Sequence, residues 1–195
     1  MSPASTAPST AKRASAMPAE ERRAAIIEAV RPLLAEYGES ITTKQIACAA
    51  GIAEGTIFRV FADKDELLDA TLEASLDQEP FERALGEIDP TLPFETQLVE
   101  ATVLIQRRVV DVWTLLSHLG PKRHGQVSRP MTDSPALTAI FAAHADRIRI
   151  EPARAARMLR ALTLSLTHPM IAAEDSEASE IVYTVLHGVG TGTPT

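Results

Sequence analysis

The sequence predicts an all-α protein. Aromatic residues are only 4% of a chain that is 45% hydrophobic, and its apolar content is rich in alanine and leucine, which favour helices over sheets. Apolar residues recur at three- and four-residue spacing in both halves. Gly and Pro fall between these periodic runs and so punctuate them. At 195 residues the chain is long enough for one medium core or two small ones.

Residues 1–16, "MSPASTAPSTAKRASA", carry no apolar pattern and are expected to form a disordered tail. Lys12 and Arg13 in it are either a basic arm for a minor groove or a stray basic pair. A first helix is expected to start at Pro18, with Glu20 and Glu21 complementing its dipole. Ile26, Val30, Leu33, Leu34 and Tyr37 continue it at helical spacing, Pro32 should bend it, and Gly38 should stop it. Thr42 or Thr43 caps a short helix through Ala50. Gly51 makes a turn, and a second short helix runs to about Phe61. Asp63 and Glu66 have capping-box spacing and open a further helix bearing Leu67, Leu68, Leu72 and Leu76.

The second half predicts a long helix over 93–119 that is apolar nearly all round and therefore surrounded by others. A loop follows at 120–135. Helices are then expected at about 135–149, 152–173 and 177–188, with Pro169 ending or kinking the middle one. "GTGTPT" closes the chain as a frayed tail.

Several function classes are disfavoured. The formal net charge of −7 argues against nonspecific coating of nucleic acid, although a local basic edge survives because distant charges are screened. No apolar run approaches a membrane span, so no membrane partner is expected, and the N-terminus does not read as a secretory signal. The single cysteine, Cys48, allows no intrachain disulfide, reads as a small core residue, and fits a cytoplasmic setting. The five histidines have no i, i+4 pair and no acidic partner, so no metal is expected. With no phosphate loop and no nucleophile motif, neither a cofactor nor an enzyme is expected.

Residues 43–60 carry the functional signal. Ile46, Ala47, Ala50, Ile52, Ile57 and Val60 are apolar or small and flank Gly51. Two helices crossing steeply through a short turn need a small residue at the crossing, here Ala47, and a residue tolerant of positive φ in the turn. Ile46, Ala50, Ile52, Ile57 and Val60 then face the first helix, leaving Glu54, Gly55, Thr56, Phe58 and Arg59 on the opposite side.

"ITTKQIACAAGIAEGTIFRVFADKDELL", residues 41–68, resembles the DNA-binding segment of TetR-type (TetR/AcrR) transcriptional regulators, and the resemblance covers about residues 18–75. It implies an N-terminal helix-turn-helix DNA-binding domain over 17–62 and a C-terminal helical ligand-binding and dimerisation domain over 63–195. It further implies a homodimeric repressor on a palindromic double-stranded DNA operator, released by an unknown small-molecule effector. Carried over by position, Thr43 contacts phosphate and Lys44 reaches a base or phosphate. Glu54 and Gly55 sit where the family reads base edges, Thr56 and Lys64 match phosphate contacts, and Arg59 lies on the same edge, as does Phe58.

Three departures weaken the phosphate anchoring. Ala53 stands where a capping Ser is usual, Phe58 lacks a Tyr hydroxyl, and Val60 replaces a His. Glu54 either accepts from cytosine N4 or stabilises its own helix end. In the C-terminal half, Arg108, Trp113, Leu116, His118, Phe141, His144 and Met158 combine apolar bulk with a few polar groups, as ligand pockets do; the alternative is core. The resemblance further implies that Ala156, Leu159, Leu162, Thr163, Leu166, Ile181 and Val185 pair with their copies across a dimer interface, the alternative being core within one chain. A helical ligand-binding or protein-interaction protein with a weakened DNA-binding segment is the second reading.

Overall fold

The computed structural model describes residues 18–120, 133–174 and 176–189, and among these are nine α-helices and no strand. The expected tails and nearly all of the 120–135 loop, Lys12 and Arg13 included, lie outside the described residues.

Helix α1 (Ala19–Tyr37) begins after Pro18 and buries Ile26, Val30 and Leu34. Tyr37 leaves the expected stripe and is 42% exposed. Gly38 ends the helix at φ +57°, its N–H bonded to the Leu34 carbonyl, and a 3₁₀ turn spans Gly38–Ser40. Helix α2 (Thr43–Ala50) is capped by Thr42. The Thr42 hydroxyl accepts from the Gln45 N–H at 3.2 Å, and the Gln45 side chain accepts from the Thr42 N–H at 2.8 Å, so both ends of a capping box are satisfied.

Helix α3 is one turn, Glu54–Ile57, shorter than the expected run to Phe61. Beyond Ile57 the chain continues in tighter turns, with Arg59 N–H bonded to Thr56 and Val60 N–H to Ile57. Ala53 has cap geometry but no side-chain acceptor, and Gly55 with the β-branched Thr56, Ile57 and Val60 propagates a helix poorly. Helix α4 (Lys64–Leu76) buries Leu67, Leu68 and Leu72. Asp63 accepts from the Glu66 N–H at 2.8 Å, but Glu66 reaches back to the N–H of Ala62, not of Asp63.

Helix α5 (Glu79–Gly86) was not anticipated. Pro80 sits in its first turn, and Phe81 and Leu85 are its buried residues. Helix α6 (Phe94–Ser117) is the long one, but it is not enclosed all round. Its first half buries Phe94, Leu98, Ala101 and Ile105, whereas Val110 is 44% exposed and Val112, Trp113 and Leu116 are half-buried. Helix α7 (Pro135–Ala143) gives way to a 3₁₀ turn at Ala145–Arg147, which splits the single helix expected to 149. Helix α8 (Pro152–Thr167) stops at His168, whose ψ of 121° is extended because the following Pro169 excludes the helical region. Helix α9 (Ala178–His187) completes the fold.

Two apolar clusters result. The first joins α1 to α4 through Ile26, Leu34, Ile46, Ile57, Phe61 and Leu67, and it also receives Leu115 from α6 and Leu119 just beyond that helix. The second gathers α5 to α9 around Phe94, Leu98, Phe141, Leu159 and Ile181. Helix α4 packs in the first cluster through Leu67, Leu68 and Leu72. Helix α6 serves both clusters.

Candidate nucleic-acid interface and ligand cavity

The geometry of α2 and α3 follows from a few residues. Ile46 and Ile57 are fully inaccessible and Ala47 is 6% exposed, while Ala50, Ile52 and Val60 pack partly buried against the same cluster. Gly51 takes φ +64° and ψ +30° with an N–H shared between the Ala47 and Cys48 carbonyls. This left-handed turn leaves Glu54, Gly55, Phe58 and Arg59 exposed and Thr56 half-buried. On α2, Lys44 is exposed and Thr43 half-buried. Cys48 is exposed and is not the core residue that its apolar neighbours suggested, because it lies on the side of α2 away from Ile46.

Thr43, Glu54 and Lys64 make hydrogen bonds. The Thr43 hydroxyl donates to a Glu54 carboxylate oxygen, linking the starts of α2 and α3. Glu54 therefore stabilises more than its own helix end. Lys64 is half-buried and donates from Nζ to the Glu39 carbonyl at 2.7 Å, which leaves two of its three ammonium hydrogens for other acceptors. Arg23 is structural: its guanidinium lies 4.4 Å from the Phe61 ring centroid and pairs with Glu66 at 3.2 Å.

A cavity of about 520 Å³ opens between α5, α6 and α8. Arg108, Trp113 and Leu116 line it. The other four expected ligand residues lie elsewhere. His118 caps the end of α6 and is exposed, its Nδ1 2.8 Å from the Thr114 carbonyl. Phe141 is fully buried, edge-on to Phe94 at 5.7 Å. His144 lies against the same Phe94 ring at 4.5 Å. Met158 is 50% exposed and borders a separate cavity of about 260 Å³.

Sequence reasoning missed Phe81, Arg160, Leu164, His168 and Ile171, which also line the larger cavity. Phe81 belongs to the unanticipated helix. The others lie on the second half of α8 and just beyond it, where Arg160 is one of three arginines, with Arg154 and Arg157, and so gave no distinct signal. Burial pushes the Arg108 and Arg160 guanidinium groups below their ordinary range, opposed at Arg108 by Asp111 and Asp77 and at Arg160 by Glu82 and Asp133. Arg108 also donates to the Ser75 and Asp77 carbonyls, both at 2.9 Å, closing the C-terminal end of α4.

Of the residues expected at a dimer interface, Ala156, Leu159, Thr163 and Ile181 are buried within the protomer. Leu162, Leu166 and Val185 are half-buried against the second cluster. Among the described residues no group of three or more His, Cys, Asp or Glu side chains gathers as a metal site would require, and no helix is long and apolar enough to cross a membrane.

Comparison with known proteins places this geometry. Residues 26–71 match the family described as bacterial regulatory proteins, tetR family. The fold is similar to a TetR-family transcriptional regulator from Haemophilus influenzae RD, at 18% identity and TM-score 0.54 over 87% of this chain and 96% of that one. It is also similar to a TetR/AcrR-family regulator from Thermobifida fusca (20% identity, TM-score 0.55, 87% and 99% covered). A third is the TetR-like regulator LfrR from Mycobacterium smegmatis, solved with proflavine (21% identity, TM-score 0.53, 89% and 99% covered). Residues 26–71 thus match the tetR family of bacterial regulatory proteins, on a chain whose fold is similar to that of TetR-type regulators.

Proposed function

We propose that the protein is a cytoplasmic transcriptional repressor, not an enzyme, that binds a palindromic DNA operator as a homodimer and is released by a small molecule. The observation that carries this reading is the helix pair around the Gly51 turn, which buries Ile46 and Ile57 and leaves Lys44, Gly55, Phe58 and Arg59 exposed. Lys44, Arg59 and Lys64 would meet phosphates while the N-terminal end of α3 meets base edges. Phosphate contacts supply affinity and base contacts specificity, so an overall negative charge does not prevent binding.

Release would run through α6. Within one turn this helix presents Trp113 and Leu116 to the cavity and Leu115 to the N-terminal cluster. A ligand that favours one placement of that turn shifts the DNA-binding unit only by its differential affinity for the two placements. In the dimer a second copy would meet the outer faces of α8 and α9, where Met158 and Tyr183 are exposed, next to the half-buried Leu162, Leu166 and Val185. A two-fold pair would present recognition helices about 34–36 Å apart.

The test is selection of DNA sites from a random duplex pool by the ligand-free protein at low salt. An enriched inverted repeat is the expected result. The second reading, a ligand-binding protein with a weakened DNA segment, is favoured by uncapped α3 and by Phe58 and Val60. Selection without enrichment, from protein shown to be folded, would decide for it.

A further inference from the structure

The cavity between α5, α6 and α8 has a charge bias as well as a size. Phe81, Ile105, Val112, Trp113, Leu164 and Ile171 give it an apolar wall, and its polar lining is Gln78, Arg108, Arg160 and His168. No carboxylate lines it among the described residues. We propose that this cavity takes an amphipathic anion, a hydrocarbon or aromatic body bearing one carboxylate, with the carboxylate held between Arg108 and Arg160.

A cavity of about 520 Å³ falls within the size of small-molecule sites, roughly 300–1,000 Å³, and an apolar wall selects an apolar body. At the polar end, a cationic ligand would meet two guanidinium groups and no counter-charge in the wall. A neutral ligand would remove water from two half-buried cations and offer at most an uncharged acceptor in its place. An anion does the opposite, because charge-assisted bonds to guanidinium groups strengthen as water leaves.

The four carboxylates that act on these arginines, Asp77, Asp111, Glu82 and Asp133, stand outside the lining. The acceptors that fix the Arg108 guanidinium are the backbone carbonyls of Ser75 and Asp77, which hold its position without cancelling its charge.

Trp113 is the only tryptophan in the chain and stands in the cavity wall, its ring 4.5 Å from that of His168. It therefore reports occupancy directly. Full-length, DNA-free protein is titrated at neutral pH with decanoate, decan-1-ol and decylammonium, each below its micelle concentration, and read by Trp113 fluorescence and by calorimetry. Decanoate is expected to bind about tenfold or more tightly than decanol, and decylammonium more weakly than either. Arg160→Gln should remove most of the decanoate advantage and leave decanol binding within about twofold. Arg160 is the better substitution because Arg108 also anchors the end of α4.

Equal affinities for the three head groups, preference for the ammonium, or no decanoate binding up to about 1 mM would each overturn the proposal. The wild-type comparison stands even if the variant misfolds. The proposal rests on reading the cavity as the effector site, but its test contains no DNA. Retained carboxylate preference with no effect on operator binding would overturn the release mechanism and keep the ligand class.

Discussion

At Gly38 a Cβ would stand 2.2 Å from the His118 carbonyl oxygen, and the backbone has φ +57°. Both facts require glycine there: the first is a close approach between the end of α1 and the end of α6, and the second a left-handed conformation. Gly51 shares the conformation but has open space around it. Gly38→Ala is therefore expected to destabilise by about 3 kcal/mol and Gly51→Ala by about 1 kcal/mol, read as the shift in urea midpoint at constant slope. Similar shifts for the two would mean that the contact with His118 yields easily. Lys64 combines two roles at the same scale. Lys64→Ala should weaken binding to all DNA sequences alike and flatten the salt dependence by about one phosphate contact. It should also lose roughly 1 kcal/mol of stability with the bond to Glu39. A lower stability with an unchanged salt slope would leave Lys64 purely structural.

Among the elements, α3 shows how a missing side chain sets a length. Ala53 already has the extended backbone of a cap, at φ −72° and ψ 143°, so a serine there needs no rearrangement. Ala53→Ser is expected to stabilise the protein by about 1 kcal/mol and to protect the amides of Thr56 and Ile57 from hydrogen exchange; unaltered protection would show that packing, not capping, limits the helix. Elements with strong ends were legible in the sequence. The Thr42 or Thr43 cap, the Asp63–Glu66 spacing and the Gly38 and Gly51 stops marked α1, α2 and α4 closely. Length failed where propensity or tertiary contact decides it: α3 ended early, and α5, with two buried residues in eight, had too little periodic signal to be seen. At Pro169 the sequence marked a break, and the structure places the helix end before it.

For the whole molecule, the exposed face around Gly51 was more legible than the cavity. Exposure around Gly51 follows from local geometry, because one face of a short helix pair must be left over when the other is buried. The cavity depends on what stands opposite α6. Periodicity reports that Val112, Trp113 and Leu116 are apolar, but not that α5 and α8 fail to close over them. Arg108, Trp113 and Leu116 line the same cavity because they share that helix, while His118, Phe141, His144 and Met158 have other surroundings. The same limit applies to α8 and α9, where an apolar stripe reads alike whether it packs inside one chain or between two. The stripe residues Leu159 and Ile181 are buried in their own protomer.

The insertion of Leu115 and Leu119 into the N-terminal cluster also bears on portability. A fragment cut after α4, residues 18–76, would contain every side chain proposed to touch DNA and yet lack two of the leucines that seal its interior. At about 1.5–3 kcal/mol for each buried leucine, that loss is comparable to the whole stability of so small a unit. Such a fragment is expected to give a broad, weakly cooperative thermal transition, and a sharp one would show that the two leucines are dispensable. Grafting this recognition unit onto another effector domain would then require the last turn of α6 to travel with it, so the transplantable piece is discontinuous in the chain.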